Sequence, residues 1–353
     1  MNDSQKIGIG IAGLGRIGWD FHAKSLKDHP DFKLVAVADP QAERRAQAET
    51  ELGCRSYADY SEMICNPDIS AVVIATPTHL HHNMSLQAFA KGLHVILEKP
   101  MALNSREATE ITAAAHAANC KLTVYQPHRL ASYYRHLLQL IDSGKIGKVY
   151  WAQIGTFNFA RRNDWQSLQK FGGGMLVNYG AHSVDQILGL LGTDIKRLFC
   201  DLQCVATLGD ADDVVKIVIE NTAGVIGQVD ISMASALSPY KVTVWGTCGT
   251  INFKGNIGNG QFELRYFDPS QLPDKQLNES LASEGRLYPY DPIEFTEEVI
   301  PLDNSLGINI FSDFARAVRT DTSPIIPPEE TVAVMETLDR CRENSAGIED
   351  MRL

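Results

Sequence analysis

The 353-residue sequence lacks any apolar run long enough to cross a bilayer. Lys6 to Gly15 comes nearest, but it is short and punctuated by glycine. Met1-Asn2-Asp3-Ser4-Gln5-Lys6 puts no basic stretch ahead of an apolar core, so no secretory signal is expected there. Basic excess is missing as well. The formal charge is −11, which argues against nucleic acid and against an anionic membrane, since both attract cationic surfaces. The seven cysteines form no Cys-x-x-Cys pair, and an odd count without a framework fits a reducing cytoplasm. Cys200 and Cys204 are four apart in a strand-like run and face one side of it; they read as buried thiols, with a metal site as the alternative. Repeats and low-complexity segments are absent. What remains, 44% apolar and 21% charged, is ordinary globular composition in a chain long enough for two domains.

The first third alternates strand and helix. Strands are expected at 6–12, 33–39, 71–76, 94–99 and 121–125, and helices at 17–28, 42–52, 80–91 and 106–118. Asn104 or Ser105 can cap the last helix. Nearly continuous apolar strands between helices imply a parallel, doubly wound α/β sheet. Near residue 125 the pattern changes. A helix over 132–143 leads into a strand over 149–157, and one more helix follows a glycine run. Strand then follows strand at 195–204, 214–220, 224–233, 241–245, 250–253 and 262–267, with a hairpin-type turn at Asn221-Thr222-Ala223-Gly224. Short turns between consecutive strands imply a mainly antiparallel sheet. Residues 270–305, rich in proline and acid, read as a long loop, and helices over 307–319 and 329–345 close the chain. The domains expected are 1–124 and 125–353.

Gly13-Leu14-Gly15-Arg16-Ile17-Gly18 follows a strand and opens a helix, as a dinucleotide-binding loop does. Its glycines allow a tight turn, close approach of a pyrophosphate and close helix packing, and the helix N-terminus favours phosphate. Asp39, 21 residues past Gly18, ends the second strand, where a carboxylate binds a ribose 2′-hydroxyl and repels a 2′-phosphate. NAD is therefore the expected cofactor. Arg44 and Arg45 keep NADP open, because an arginine nearby can accept a phosphate; they also read as the solvated face of a helix. About 80 residues on, Glu98-Lys99-Pro100 ends the fourth strand, and such sheets hold their ligands at the carboxyl ends of strands. Thr76-Pro77-Thr78-His79-Leu80-His81-His82 reads as a loop into a helix beside the cofactor. A metal site is the weaker alternative, since His79 and His81 diverge and no acid or cysteine is near. In Gly172–Asp185, Asn178 and His182 are i and i+4 on a helix and point the same way. Asp185 could orient the imidazole. His182 fits a proton acceptor near neutral pH and equally a satisfied core histidine.

Together these motifs resemble the Gfo/Idh/MocA family, the glucose–fructose oxidoreductase and inositol dehydrogenase group, over nearly the whole chain. The resemblance implies a Rossmann domain, a second domain with an open, mainly antiparallel sheet, and pyridine-nucleotide oxidoreduction of sugars or cyclitols. It implies that Lys99 hydrogen-bonds the reacting hydroxyl, that Glu98 lies beside the cofactor, and that the Lys99–Pro100 bond is cis. His182 matches the catalytic histidine. Thr76, Pro77 and His81 match a loop flanking the cofactor. Tyr125-Gln126-Pro127-His128-Arg129 matches a segment under the nicotinamide, with Gln126 toward cofactor and Arg129 toward substrate. Asp164-Trp165 matches a wall of the sugar pocket. Where the family commonly has aspartate this chain has Asn178, which can hold a hydroxyl but cannot take a proton.

The catalytic set expected is Lys99, His182 and Asn178, acting on a small sugar, cyclitol or polyol, with no metal. A sensor that has lost turnover and a redox-neutral glycoside-processing enzyme with tightly held NAD are the alternatives. Val215, Ile217 and Ile219 alternate with Val214 and Val218, so both faces of the later sheet carry apolar residues. A homodimer or homotetramer is expected through the open face, as the resemblance also implies.

Overall fold

The computed structural model describes residues 6–279 and 291–352. The expectation for the first five residues, and the centre of the loop expected over 270–305, lie outside the described residues. Six strands form the first sheet: β1 (Ile7–Ala12), β2 (Phe32–Ala38), β3 (Arg55–Tyr57), β4 (Ala71–Ile74), β5 (His94–Leu97) and β6 (Leu122–Val124). They are all parallel, in the order β3-β2-β1-β4-β5-β6. All four residues of β4 are buried, as the apolar run required. Val72, Ile74, Val95 and Leu97 share a core with Ala88 and Phe89 of the helix His81–Ala90 and with Ile111 of the helix Ser105–Ala117. Ile9, Ile11, Val73 and Ile96 belong to a separate core with Leu26, Phe311 and Phe314. Asn104 caps the helix at 105, accepting from the Glu107 N–H.

Phe311 and Phe314 come from the far end of the chain. Their helix, Ile310–Thr320, is capped by Asn309, whose side chain accepts from the N–H groups of Phe311 and Ser312. Ile310, Phe311, Phe314 and Ala315 fall on one stripe of it and are buried on the first sheet. The division at 124/125 remains our proposal for the two sheets, and this helix packs across it.

The second sheet holds β7 (Val149–Phe157), β8 (Ile195–Cys204), β9 (Val214–Asn221), β10 (Ile226–Ser232), β11 (Val242–Gly246), β12 (Gly249–Asn256), β13 (Asn259–Tyr266), β14 (Thr296–Pro301) and β15 (Ile348–Asp350). Their order is β14-β13-β12-β11-β7-β10-β9-β8-β15. Only the β7–β10 and β8–β15 pairs are parallel among the described residues. In β9, Val215, Ile217 and Ile219 are buried against the helices, whereas Val214, Lys216, Val218 and Glu220 are half-buried on the other face. That face is mixed rather than apolar. Trp151 and Trp245 meet edge to face there at 5.7 Å, Phe199 is exposed, and Lys216 pairs with Asp230.

Three departures from expectation have local causes. β14 lies within the expected 270–305 loop; its Thr-Glu-Glu-Val-Ile-Pro sequence is polar because it is an edge strand. The helix expected over 17–28 is π-wound over Gly18–Ala23 and α-helical only over Lys24–Lys27. The helix expected after the glycine run is interrupted at Tyr179, giving Met175–Asn178 and Gly180–Leu191. Phe314→Ala should destabilise the protein by about 3–5 kcal/mol, because the site is fully buried between helix and sheet and leaves a cavity. Urea denaturation followed by fluorescence measures this, and a loss under about 1 kcal/mol would show that the helix contributes little to the first domain.

Candidate active site

The first sheet reverses its order between β1 and β4, and the loops leaving the carboxyl ends of its strands converge there. Gly13 has φ +89°, and a Cβ on Gly18 would stand 1.9 Å from the Gly13 carbonyl oxygen, so the loop closes only with glycine at both. Gly15 is different: nothing lies within 4 Å of where its Cβ would point. This open cradle, flanked by Arg16 and Ile17, fits the pyrophosphate of a dinucleotide. Asp39, at the end of β2, is buried and accepts from the Leu14 N–H at 2.8 Å, the Gln41 N–H at 2.9 Å and Arg44 at 3.3 Å. Arg45 donates to the carbonyls of Asp39 and Pro40, both at 2.9 Å. Both arginines therefore brace this turn.

Glu98 and Lys99 leave the end of β5. One Glu98 oxygen accepts from the Lys99 N–H at 3.0 Å, and the other lies 2.7 Å from His22 Nε2. His22 comes from the π-wound turn after the glycine loop and is wholly buried. The Lys99 ammonium donates to Asn178 Oδ1 at 2.8 Å and to the Asn178 carbonyl at 3.2 Å. The helix interruption makes the second bond available. His182 N–H turns to the Tyr179 carbonyl at 3.1 Å, which releases the Asn178 carbonyl from the i→i+4 pattern. An ammonium has three donors, so one is left for a ligand. Burial holds the Lys99 pKa below its ordinary value; Glu98 opposes the shift, and Arg16 and Arg162 add to it.

His182 is buried with Nδ1 2.7 Å from Gln126 Oε1. With the amide oxygen on that side, Nδ1 carries the proton and Nε2 keeps its lone pair, an assignment made from the hydrogen-bond network. The His128 ring stacks on His182 at 4.2 Å and 5°. Burial lowers the His182 pKa well below the usual histidine value, and His128, Lys99 and Lys241 lower it further. His128 falls to about 4 for the same reasons: burial first, then Lys241 and Lys99. The imidazole pair is neutral at pH 7.

Several expected residues sit elsewhere. Asp185 does not orient His182; it binds Arg129 at 3.2 Å, and Gln126 takes the orienting role. Arg129 does not face a substrate space, because its guanidinium is held by Asp185 and by Glu330 at 2.5 Å. His81 meets no open space: Nε2 lies 2.9 Å from the Thr76 carbonyl and Nδ1 3.0 Å from the Pro100 carbonyl, so it ties the β4 loop to the cis Lys99–Pro100 bond. Gln126 is likewise interior, through His182 and the Ala181 carbonyl. Thr76 is half-buried and Pro77 exposed at the start of that loop. Trp165 is half exposed beside Asp164, which pairs with Arg162. His82 faces Glu110 rather than its neighbouring histidines. Sequence reading passed over His22, whose only signal was a histidine on the buried side of the glycine-loop helix. It also missed Asp212, which accepts from the Leu176 N–H at 2.7 Å and fixes the start of the Asn178 turn.

The fold and this cradle define a two-domain, NAD(P)-binding oxidoreductase. Residues 7–126 match the model of the oxidoreductase family's NAD-binding Rossmann fold, Gfo/Idh/MocA, and residues 134–252 match a Gfo/Idh/MocA C-terminal domain. An uncharacterized oxidoreductase of Schizosaccharomyces pombe is 30% identical over 189 residues, 52% of this chain and 51% of that protein. The chain thus spans about half of that relative's length. The scyllo-inositol 2-dehydrogenase (NAD(+)) of Bacillus subtilis is 31% identical over 253 residues, 68% of this chain and 72% of that one. The crystal structure of an NAD-binding protein from Listeria innocua shares the fold, with a TM-score of 0.80 and 22% identity over 96% of this chain and 94% of the other. The chain belongs to the Gfo/Idh/MocA family of oxidoreductases.

If Asp39 binds the ribose, Asp39→Ala should weaken NAD by roughly tenfold or more and narrow the gap to NADP, since it would remove that partner and a repulsive charge along with the acceptor of the Leu14 N–H. Fluorescence titration with both cofactors measures it. A wild type that already prefers NADP would overturn the assignment to NAD.

Proposed function

We propose that the protein moves hydride between NAD and a secondary alcohol or ketone of a sugar, cyclitol or related polyol. The observation that carries this is the convergence of Lys99 and His182, one from each sheet's domain, beside the carboxyl edge of the first sheet. Loop 13–18 would hold NAD, with Asp39 placed to bind its ribose, and the bound cofactor would supply the hydride acceptor or donor. In the oxidation direction His182 Nε2 takes the hydroxyl proton, since burial keeps the ring neutral and Gln126 keeps Nδ1 protonated. The free donor of Lys99 holds the substrate oxygen, and its positive charge stabilises the developing alkoxide. Asn178 positions the ammonium with both of its oxygens. It cannot carry a proton, so the proton leaves through His182 alone. Trp165, half exposed, suits a wall against which a sugar ring packs.

Lys99→Met should lower turnover by about 10²–10³-fold while NAD binding survives. In the wild type, the pH profile should keep its acid limb below the ordinary histidine range, because the base form of His182 persists as pH falls. The alkaline limb should begin below the ordinary lysine range, because Lys99 loses its proton early. Turnover of a sugar and inositol panel, followed by NADH absorbance, checks both. A Lys99→Met rate within a few-fold of wild type would remove Lys99 from the mechanism. NAD that co-purifies without net NADH formation would favour the redox-neutral reading instead.

We also propose a homodimer, or a dimer of such dimers, through the open face of the second sheet. The paired tryptophans Trp151 and Trp245 and the exposed Phe199 support it. Sedimentation at micromolar concentration should show at least two copies, and a single-chain species throughout would exclude it.

A further inference from the structure

His128 takes no part in the proposed proton and hydride steps, yet it lies against the base that does. Its ring stacks on His182 with centroids 4.2 Å apart and planes 5° apart. Its backbone is fixed from several sides. The short turn Pro127–Leu130 follows β6, at the carboxyl edge of the first sheet. The His128 carbonyl accepts from Gln186 Nε2 at 3.1 Å, and Gln186 Oε1 in turn accepts from the Tyr133 hydroxyl at 2.9 Å. The next residue, Arg129, is clamped by Asp185 and Glu330.

The ring nitrogens of this anchored residue are left unbonded. Half-buried His128 makes no side-chain hydrogen bond or ion pair among the described residues, and neither nitrogen is shut away from solvent without a partner. Both therefore open to water. The same holds for His182 Nε2, the lone pair that the Gln126 contact leaves free. With the rings parallel and so close, a molecule resting on His182 Nε2 is within reach of His128. The neighbouring amides are already occupied, Gln126 Oε1 by His182 and Asn178 Oδ1 by Lys99. A neutral imidazole offers one donor and one acceptor, so it can serve a hydroxyl in either sense. Hydroxyl oxygens on adjacent carbons of a sugar or cyclitol stand about one hydrogen-bond length apart, ~3 Å, and such a pair can face two stacked rings at once. An isolated hydroxyl would leave His128 unanswered.

We propose that His128 is a specificity-determining residue and that the substrate is a vicinal diol, His182 Nε2 holding the reacting hydroxyl while a His128 ring nitrogen holds the free hydroxyl on the adjacent carbon. This rests on the oxidoreductase reading for the reaction, but the diol is bound whether or not hydride moves.

The test uses cis-cyclohexane-1,2-diol, trans-cyclohexane-1,4-diol and cyclohexanol. Binding is read from the fluorescence of the NADH-loaded protein, and turnover from NADH formed with NAD. The 1,2-diol should bind more tightly than either other probe by about fivefold or more, although the 1,4-diol has as many hydroxyls. His128→Phe keeps a flat ring against His182 and removes both nitrogens; it should bring the three affinities together. His128→Gln returns a donor and an acceptor without the ring and should recover part of the preference. NADH affinity in each variant reports that the fold survives. A role in stacking alone gives the opposite order, with the preference kept by Phe and lost by Gln. That order overturns the proposal, and so does a 1,2-diol that binds no better than the other probes. Preferred binding of the 1,2-diol without turnover supports the His128 assignment and counts against hydride transfer. Equal turnover of all three alcohols upholds hydride transfer and overturns the His128 assignment, so the two readings fail separately.

Discussion

The site depends on the grip of Asn178 on the Lys99 ammonium. Lys99 leaves a strand of the first sheet, and Asn178 ends a turn that packs on the second domain, 79 residues away. Both oxygens of Asn178 take part, and the carbonyl is free to do so only because the helix breaks at Tyr179. A lysine on a flexible four-carbon stem gains a fixed direction this way, with two donors held and one left over. The grip also sets the distance between Lys99 and His182, since Asn178 and His182 lie on either side of the same helical break. Asp212 fixes the start of that turn from the chain beside β9, so the geometry of the ammonium is anchored well outside the site.

Burial decides the protonation states. His182 and His128 are stacked, and burial first, then the charges of Lys99 and Lys241, lowers both pKa values and keeps the rings neutral. A neutral imidazole that is hydrogen-bonded to an amide oxygen has one tautomer available, with its lone pair on Nε2. An aspartate in place of Gln126 would favour the imidazolium instead, making the ring more basic but leaving less of it unprotonated at neutral pH. On the other side of Lys99, Glu98 is fixed by the His22 imidazole and by a backbone N–H, so its charge is anchored beneath the lysine.

Much of this was legible in the sequence where a local rule governs. The helix over 42–52 and the strands over 149–157 and 195–204 fall where periodicity put them. The alternation in β9 sorted Val215, Ile217 and Ile219 to the buried face. Three-residue strands such as β3, β6 and β15 hardly define a period; β6 falls within the run expected over 121–125, whereas β3 and β15 carry no pattern of their own. The partners of side chains were harder still. Asp185, three residues beyond His182, looked like its orienting acid; the true partner is Gln126, 56 residues upstream, and Asp185 turns to Arg129. Arg129 in turn meets Glu330, 201 residues on. Sequence spacing fixes which way a side chain leaves its helix, but the packing of distant elements fixes what it meets.

Asn178 also accounts for the charge of the site. An aspartate there would form a buried ion pair with Lys99, hold the lysine proton more firmly and cancel its charge. The amide gives the same hydrogen bond without the cancellation. Lys99 then keeps its full charge, and it remains easier to deprotonate than an ion-paired lysine. Asn178 thus sets the charge at the end of β5 without touching Asp39, whose partners are Leu14, Gln41 and Arg44.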